Sequence, residues 1–490
     1  MNTDGTPNTG RAEHAWFEVS RVALPKRSAE ERVADFHEIY GCFTPEVAQE
    51  QARRCLFCPD PGCVAGCPVS SRISEWILLT AEGRFLEAAA ACRSNNNLPE
   101  ICARVCPHDR LCEGACILSG QSEAVAIGGI EKFLAEYGFA HGGMESSQVQ
   151  PNGMKVAVLG SGPVGLTCAD ELARRGYAVT VFEARSQPGG LLTSGVASFK
   201  LEREVVERRF DLLRQRGVDF RLGQAVGRDV HLPELREEYD AIFVGFGAQR
   251  PRPLTIPGAD LVGVMTALPF VTRFPGGTGP DGSALGLQGR RVVVLGGGET
   301  AMDCLRLAVR SGAAEADCVY RRDAENMPGS RREYENAVEE GARFQFLAMP
   351  VEVLGDSAGQ VRAVRCLRTE LGDLDHVGRR VPRPVPGTDF EVPADLVVVA
   401  FGFEGTPLPK ECDLSSLRTT DSGTLVVDAH MMTNLEGVFA GGDIIRGPGL
   451  VVHAVRDARN AAIEIHRYLG CKRFGELCPD QTDHVSGEGA

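Results

Sequence analysis

The sequence predicts an α/β fold class, in which a helical N-terminal domain precedes two strand–helix domains, one inserted in the other. Residues 1–150 contain little that resembles a strand, and they hold ten of the 17 cysteines. From Lys155, and again from Arg290, short β-branched strands alternate with glycine turns and amphipathic helices. Such alternation is typical of βαβ units that form a parallel sheet. The segments before and after the second strand–helix region are interpreted as parts of the first sheet. The second region is therefore predicted to be an inserted domain.

A chain of 490 residues is long enough for about three domains. Thr44 as an N-cap and Pro45 at the first helical position predict a helix start in the N-terminal domain. The polar residues 142–151 predict a linker. The predicted divisions are 1–150 for the helical domain, 151–285 and 416–470 for the two segments of the outer strand–helix domain, 286–415 for the inserted domain, and 471–490 for a polar tail.

The composition argues against several classes of protein. With 52 Lys and Arg against 66 Asp and Glu, the net charge of −14 is unfavourable for a nucleic-acid partner. No run of eighteen apolar residues occurs, so we expect no membrane span. The N-terminus is polar and lacks the apolar core of a signal peptide, and disulfide frameworks are typical of short secreted chains. We therefore expect reduced cysteines and a cytoplasmic location.

Eight of the N-terminal cysteines form two spaced quartets, and in each quartet a proline follows a cysteine, as at Cys67 and Cys106. Closely spaced thiolates are soft anionic ligands that can surround a 4Fe–4S cubane, and the proline bends the chain beside them. Structural zinc usually takes paired C-x2-C knuckles, and only Cys55 and Cys58 have that spacing. Two iron–sulfur clusters are therefore favoured over zinc and over plain buried thiols. The quartets are Cys55, Cys58, Cys63 and Cys67, then Cys102, Cys106, Cys112 and Cys116.

The first strand–helix pass carries a dinucleotide-binding fingerprint with its flanking strand and helix, typical of a Rossmann-like domain. Gly160 permits the tight turn, Gly162 lets a pyrophosphate approach the backbone, and Gly165 allows close packing of helix on strand. Glu183 ends the following strand, where a carboxylate can bind a ribose diol. A lone glycine motif would be weak evidence, but these flanking features make the prediction specific.

The second pass carries a variant of the same fingerprint. Gly296 and Gly298 follow a strand, and Thr300 and Ala301 open the next helix. Ala301 replaces the third glycine, which this motif tolerates. The chain therefore contains two Rossmann-like dinucleotide-binding domains.

The end of the next strand distinguishes NADPH from NADH. Arg321 and Arg322 stand there in place of an acidic residue. A guanidinium fork matches the geometry of a 2′-phosphate, which a carboxylate would repel. The pair favours NADPH, although two arginines at a strand end can also be a solvated basic surface.

A third motif decides which site binds flavin. Near the C-terminus an apolar strand ends in Gly442 and Asp443, and the segment 449–455 would begin a helix directed at the flavin ring. Once the strand has returned to the first domain, Asp443 can bind the ribityl chain of FAD. Together with Glu183, this motif predicts FAD at the first site and NADPH at the second.

The order of these motifs resembles the small (β) subunit of bacterial glutamate synthase, from about Val22 to Leu469. Residues 320–331 and 382–387 are closer to that family than to generic flavin reductases. The same module resembles the N-terminal half of dihydropyrimidine dehydrogenase. The resemblance implies an NADPH-dependent oxidoreductase that passes electrons through FAD and two 4Fe–4S clusters to a large subunit. That subunit would make L-glutamate from L-glutamine and 2-oxoglutarate.

The resemblance also implies a crossed pattern of cluster ligands. In this pattern each cluster takes ligands from both quartets, and Glu131 replaces Cys102 as a ligand of the second cluster. Cys102 would then be a buried thiol, but whether Cys102 or Glu131 completes the second cluster stays open. Lys200 lies in a loop over the flavin and counts among the cofactor-binding residues; Ala197 replaces the proline usual in this loop, which removes a φ restraint. According to the resemblance, one cluster would take Cys55, Cys58, Cys63 and Cys116, and the other would take Cys67, Cys106, Cys112 and Glu131.

No catalytic acid or base is predicted, because the cofactors carry hydride transfer and the protein aligns them. Cys304 has no second cysteine at C-x-x-C spacing in the inserted domain, so a redox-active dithiol is not expected there. The alternative function is an NAD(P)H-dependent electron-input subunit for ferredoxin or another oxidoreductase. A cluster-bearing scaffold without turnover is disfavoured, because both fingerprints are intact.

Overall fold

The computed structural model describes residues 19–143, 149–273, 286–375, 378–405, 408 and 413–474. Two compact units divide the chain: Met1–Arg32 with His37–Glu145, and Val33–Phe36 with Ser146–Ala490. Outside the described residues lie 144–148 of the predicted linker, 274–285 just before the predicted boundary at 286, and 475–490 of the predicted tail.

The first unit is built from helices and short turns. Thr44 Oγ1 accepts a hydrogen bond from Val47 N at 3.4 Å and Pro45 lies in the first turn, so the helix start is as predicted. The helices up to residue 140 are α1 (Ala29–Val33), α2 (Pro45–Ala52), α3 (Gly62–Ala65), α4 (Ile73–Ala81), α5 (Phe85–Asn95), α6 (Pro99–Val105) and α7 (Ile127–Ala140), with 3₁₀ turns at His108–Arg110 and Ile117–Gly120.

The apolar core of the first unit includes aromatic rings. Trp76 is buried, and the ring of Phe85 meets the rings of Phe133 and Tyr137 edge-on at 5.1 and 5.2 Å between centroids. Cysteine side chains from both quartets pack against this core. The thiols are therefore directed inward, as cluster ligands must be.

The second unit alternates strands and helices, which confirms the predicted fold class. No helix in these described ranges is long and apolar enough to span a membrane. Up to residue 273 the elements are β1 (Lys155–Leu159), α8 (Pro163–Ala173), β2 (Ala178–Glu183), α9 (Leu191–Ser194), α10 (Arg203–Gln215), β3 (Asp219–Leu222), α11 (Leu232–Glu238), β4 (Ala241–Val244), β5 (Arg250–Pro251), β6 (Val264–Thr266) and α12 (Ala267–Arg273). From residue 286 they are β7 (Arg291–Leu295), α13 (Glu299–Arg310), β8 (Glu315–Tyr320), α14 (Arg331–Glu339), β9 (Arg343–Phe346), β10 (Ala348–Gly355), β11 (Val361–Leu374), β12 (Arg380–Pro384), β13 (Phe390–Pro393), β14 (Leu396–Val399), β15 (Phe403–Glu404), a 3₁₀ turn (Asp413–Ser416), β16 (Val438–Ala440), α15 (Asp443–Arg446) and α16 (Val451–Phe474).

The first sheet is parallel and has the strand order β16-β4-β1-β2-β3. Residues 156–159 of β1 are completely buried, as expected of a parallel strand covered on both faces. Strand β16 pairs with β4 although a second fold lies between them in the chain. The C-terminal segment therefore completes the first sheet.

The second sheet is also parallel, with the strand order β6-β14-β7-β8-β9. It lies between β4 and β16 in the chain and is therefore inserted in the first fold. The antiparallel pair β5–β15 joins the segment that enters the insertion to the segment that leaves it.

Two features of the insertion differ from the prediction. Strand β6 pairs with β14, so the inserted fold begins before residue 286. A three-residue strand shows no period in the sequence, and only its pairing places it in the second sheet. The insertion also contains an antiparallel sheet in which β11 pairs with β10, β12 and β13.

Candidate functional site

Four thiols from the two quartets come together beside α3. Between Cys55 and Cys58, Phe57 has a φ of 50°, and its backbone N donates to Cys55 Sγ at 3.5 Å. Burial, followed by the charges of Cys63, Cys116 and Cys58, raises the pKa of Cys55 to about 12. Burial and the charge of Cys116 raise the pKa of Cys63 to about 11. Cys116 thus lies with the first quartet, in the crossed arrangement that the resemblance implies.

The remaining predicted ligands form a second, more deeply buried group. A hydrogen bond with Cys102 and burial raise the pKa of Cys106, to which the charges of Glu131 and Cys112 add. Burial also raises the pKa of Cys67 and of Cys112, and in both cases Glu131 contributes. The structure therefore brings three cysteines and Glu131 together, with Cys102 beside them.

Glu131 is a buried carboxylate on helix α7. Its Oε1 accepts hydrogen bonds from Asn96 Nδ2 at 3.0 Å and from Cys92 Sγ at 3.8 Å, and burial raises its pKa to about 7. Cys102 Sγ in turn lies 3.6 Å from Asn96 Oδ1. Asn96 thus contacts both candidates for the fourth ligand. Sequence reasoning missed Asn96 and Cys92, for which the run of three asparagines at residues 95–97 was the available signal.

These side chains offer the soft anionic donors that an iron–sulfur cluster takes. Among the described residues, no three His, Cys, Asp or Glu side chains are close enough to hold one metal ion. A cubane binds each thiolate through a separate iron, so its ligands surround a volume and do not meet at a point. The donor set of thiolates with one carboxylate fits an iron–sulfur cluster.

The first fingerprint has the geometry that a dinucleotide requires. Gly160 has a φ of +103°, and a Cβ there would lie 2.7 Å from Gly245 O. A Cβ on Gly165 would lie 1.9 Å from Gly160 O, so helix and strand are in close contact. A Cβ on Gly162 would meet nothing within 4 Å. The N-terminus of α8 therefore has free space where a pyrophosphate would approach the backbone.

Glu183 at the end of β2 is directed back at the fingerprint loop. Its Oε2 accepts hydrogen bonds from Ser161 N at 3.0 Å and from Ser161 Oγ at 2.5 Å, and its Oε1 accepts one from Arg185 N at 3.0 Å. Ser161 Oγ also accepts a hydrogen bond from Gly189 N at 2.9 Å. Ser161, which sequence reasoning missed, thus fixes the carboxylate beside the first glycine turn.

The Gly-Asp motif lies beside the same loop. A Cβ on Gly442, whose φ is 77°, would lie 3.0 Å from the Val164 side chain at the start of α8. Gly442 N donates to Asp457 Oδ2 at 3.1 Å, which links the motif to α16. Burial raises the pKa of Asp443 to about 7. A helix follows this motif as predicted, and Asp443 lies next to the proposed flavin site.

The second fingerprint repeats the geometry of the first. Gly296 has a φ of +134°, and a Cβ there would lie 2.4 Å from Ala400 O. A Cβ on Gly298 would again meet nothing within 4 Å. Ala301 is buried on α13, and Thr300 is half-buried beside it. This loop also leaves free space at a helix N-terminus for a phosphate.

The two arginines that follow β8 have different environments. Arg322 is buried, and its Nε donates to Arg380 O at 2.6 Å while its Nη2 lies 3.6 Å from Asp375 Oδ2. Arg321 is exposed, and its backbone carbonyl accepts a hydrogen bond from Thr369 Oγ1 at 2.8 Å. Of the pair, Arg321 presents its guanidinium to solvent at the strand end.

Lys200 lies in a ring of carboxylates from the inserted fold. Its Nζ is 3.0 Å from Asp303 Oδ1, 3.1 Å from Glu299 Oε2 and 3.8 Å from Glu333 Oε2. Only 7% of the Lys200 side chain is exposed. Sequence reasoning assigned Lys200 to a cofactor and did not foresee these partners, which are distant along the chain.

Two family profiles match the chain. Residues 32–143 match dihydropyrimidine dehydrogenase domain II, 4Fe-4S cluster, and residues 154–458 match pyridine nucleotide-disulphide oxidoreductase. The first match falls on the helical unit, and the second spans both parallel sheets.

Similar proteins include redox subunits and a reductase of known structure. The glutamate synthase (NADPH) small chain of Azospirillum brasilense is 45% identical over 91% of this chain and 94% of its own length. The NADPH-Fe(3+) oxidoreductase subunit beta of Geobacter sulfurreducens is 36% identical over 83% of this chain and 63% of its own length. The structure of Mycobacterium tuberculosis FprA in complex with NADPH has a TM-score of 0.56 and 25% identity, over 68% of this chain and 88% of FprA.

These matches agree with the geometry of the two units. The helical unit carries the converging thiols, and the second unit carries two open fingerprint loops. This chain belongs to the family of glutamate synthase small chains, in which an iron–sulfur cluster domain is joined to an FAD- and NADP-binding oxidoreductase fold.

Proposed function

We propose that the chain is the NADPH-oxidising flavoprotein subunit of a cytoplasmic glutamate synthase. In this function it delivers electrons through FAD and two 4Fe–4S clusters to a large subunit, which makes L-glutamate from L-glutamine and 2-oxoglutarate. The observation that carries the proposal is the identity of 45% over nearly the whole of both chains, so that both units correspond to a small chain of that activity.

The residues of the second unit fit the two dinucleotides. When bound, FAD accepts a hydride from NADPH and releases electrons one at a time. The chain binds and orients: the space over Gly162 receives the pyrophosphate of FAD, Glu183 holds a ribose and Asp443 faces the ribityl chain. The space over Gly298 receives the pyrophosphate of NADPH. No side chain needs to transfer a proton, because the hydride passes between the two cofactors.

The preference for NADPH rests chiefly on Arg321. Its exposed guanidinium stands at the end of β8, where the 2′-phosphate of the adenosine ribose would lie. Arg322 is buried and supports the strand end through its hydrogen bond to Arg380 O, which favours a structural role for it. The two neighbouring arginines therefore have separate roles, one in recognition and one in structure.

The proposed cluster ligands divide as the two groups of thiols do. Cys55, Cys58, Cys63 and Cys116 hold one 4Fe–4S cluster, and Cys67, Cys106, Cys112 and Glu131 hold the other. Supporting this division, each group contributes to the raised pKa values of its own members. Asn96 then fixes the orientation of the Glu131 carboxylate through the hydrogen bond at 3.0 Å.

Reconstitution with a large chain tests the proposal. The purified chain, loaded anaerobically with FAD and iron–sulfur clusters, should be reduced by NADPH with bleaching of the flavin absorbance. A mixture with a glutamate synthase large chain should form L-glutamate from L-glutamine and 2-oxoglutarate at the expense of NADPH, which neither chain does alone. Flavin bleaching without any glutamate formation would reject the assignment to glutamate synthase.

A second candidate has a specific observation in its favour. The Geobacter relative is the beta subunit of an NADPH-Fe(3+) oxidoreductase, so a similar module occurs in another redox enzyme. Under this alternative, the chain supplies electrons to ferredoxin or to a different oxidoreductase. Rapid NADPH-dependent reduction of ferredoxin, together with co-purification of a partner other than a large amidotransferase chain, would favour it.

A further inference from the structure

A buried charge cluster joins the two dinucleotide-binding folds. Lys200 comes from residues 195–201, a loop of the first fold between β2 and β3. The carboxylates around its ammonium come from the inserted fold: Glu299 and Asp303 lie on α13, and Glu333 lies on α14. The side chain of Asp303 is 8% exposed and that of Glu333 is 2% exposed, against 7% for Lys200.

The residue before Lys200 is held by the same surface of the inserted fold. The ring of Phe199 is fully buried, and the guanidiniums of Arg306 and Arg310 lie over it at 4.4 and 4.1 Å from its centroid. Arg306 and Arg310 are themselves fixed by ion pairs, the former to Glu333 and Glu340 and the latter to Glu340. The loop therefore inserts one aromatic ring and one cation into α13 and α14.

Separation of the two folds at this point would be unfavourable on both sides. Lys200 would lose three carboxylates, and Glu299 and Asp303 would lose the cation that lies between them, whereas Glu333 would keep its ion pair with Arg306. Burial alone disfavours the ammonium, yet Asp303, Glu333 and Glu299 more than offset this and raise the pKa of Lys200. The ion pairs therefore keep the loop charged and attached.

The position of the cluster relates it to both cofactor sites. Glu299 is the first residue of α13 and directly follows Gly298, the open glycine of the second fingerprint. Glu299 Oε1 also accepts a hydrogen bond from Ser330 N at 2.6 Å, which fixes the start of α14. At the other side, the loop 195–201 follows α9 of the first fold. The cluster thus joins the phosphate-binding end of one fold to a loop of the other.

We propose that Lys200 and the carboxylates of Glu299, Asp303 and Glu333 form an interdomain clamp that sets the orientation of the NADPH-binding fold on the FAD-binding fold. Lys200 is on this view a positioning residue and does not contact a cofactor directly. The inference rests on the proposed hydride transfer from NADPH to FAD. Its consequence is that the rate of that transfer depends on the clamp, because a small misplacement of the donor relative to the acceptor slows it.

The test compares Lys200→Met, Asp303→Asn, the double variant and Lys200→Arg in the FAD-loaded full chain. Arg343→Met is the matched control, because Arg343 also binds two carboxylates, Glu315 and Asp317, but both belong to the inserted fold. Three quantities are measured: the single-turnover rate of flavin reduction by NADPH, the absorption spectrum of the bound flavin, and amide hydrogen exchange in residues 195–201.

If the clamp exists, Lys200→Met and Asp303→Asn each slow flavin reduction by roughly tenfold to a hundredfold. The double variant is then no slower than the slower of the two single variants, because both substitutions remove the same Lys200–Asp303 interaction. Amide exchange in residues 195–201 accelerates in both single variants, and the flavin spectrum is unchanged in both. Lys200→Arg retains part of the rate that Lys200→Met loses. Arg343→Met changes neither the rate nor the exchange of the loop.

Two results would overturn the inference. A shifted flavin spectrum in Lys200→Met, with normal rate and exchange in Asp303→Asn, would place Lys200 on the flavin. Normal rates and normal exchange in all variants would show that the ion pairs do not set the orientation. Failure of the unaltered chain to be reduced by NADPH would instead reject the proposed function, and the exchange measurement would still test the clamp.

Discussion

The two open glycines allow a test of each cofactor assignment by a single methyl group. Gly162 has φ −66° and ψ −178°, and Gly298 has φ −91° and ψ −179°, which alanine adopts without strain. A Cβ at either position would meet no atom within 4 Å. Gly162→Ala and Gly298→Ala should therefore leave the cofactor-free chain as stable as before, or more stable by about 0.4–1 kcal/mol, because alanine restricts the unfolded chain.

The cost of each methyl group should appear only when a dinucleotide binds. The second glycine of the fingerprint is where the pyrophosphate approaches the backbone, so a methyl group there takes the space of the phosphate oxygens. We expect Gly162→Ala to weaken FAD binding by at least tenfold, about 1.4 kcal/mol. Gly298→Ala should weaken NADPH binding to a similar extent and leave bound FAD unchanged.

The assay is flavin content per chain, followed by NADPH titration of the flavin-loaded variants, with thermal unfolding of the cofactor-free chains. Gly165→Ala is the contrasting variant, since its Cβ would lie 1.9 Å from Gly160 O and should lower Tm before any cofactor is added. Loss of FAD in Gly298→Ala with normal FAD in Gly162→Ala would reverse the assignment of the two sites. Normal binding of both cofactors in both variants would refute the phosphate role of the loops.

Three further predictions concern the strand end, the second cluster and the Gly-Asp motif. Arg321→Ala should raise the KM for NADPH by at least tenfold, about 1.4 kcal/mol, and leave the KM for NADH unchanged. Arg322→Ala should mainly lower Tm. Equal effects of Arg321→Ala on both nucleotides would refute the phosphate contact. Glu131→Ala should lower the iron content of the anaerobically purified chain towards that of one cluster, and Cys102→Ala should not; the reverse result would make Cys102 the ligand. Because burial raises the pKa of Asp443 from 3.8 to about 7, the folded cofactor-free chain holds a proton there that the unfolded chain releases. The free energy of unfolding should fall as pH rises between these values, and Asp443→Asn should flatten this part of the pH profile measured by urea unfolding. Identical slopes in the unaltered chain and in Asp443→Asn would contradict the burial of the carboxyl.

Much of the cluster chemistry could be predicted from the sequence, because the spacing of the thiols is local. The crossed placement of Cys116 with the first quartet came from the resemblance and not from spacing, and in the structure its charge raises the pKa values of Cys55 and Cys63. Asn96 could not be predicted as a neighbour of Glu131. Its contact depends on how α5 and α7 pack, which local sequence does not encode.

The fold class, the two fingerprints and the return of the chain to the first sheet could all be predicted from the sequence. These follow from local periods, from glycines at positions where a positive φ or a close contact favours glycine, and from short motifs. The tertiary structure decided the rest. It placed β6 in the second sheet, buried Arg322 while leaving Arg321 exposed, and surrounded Lys200 with carboxylates from the inserted fold. Each depends on contacts between residues distant in the chain, and long-range contacts are set by packing and strand pairing after the local elements have formed.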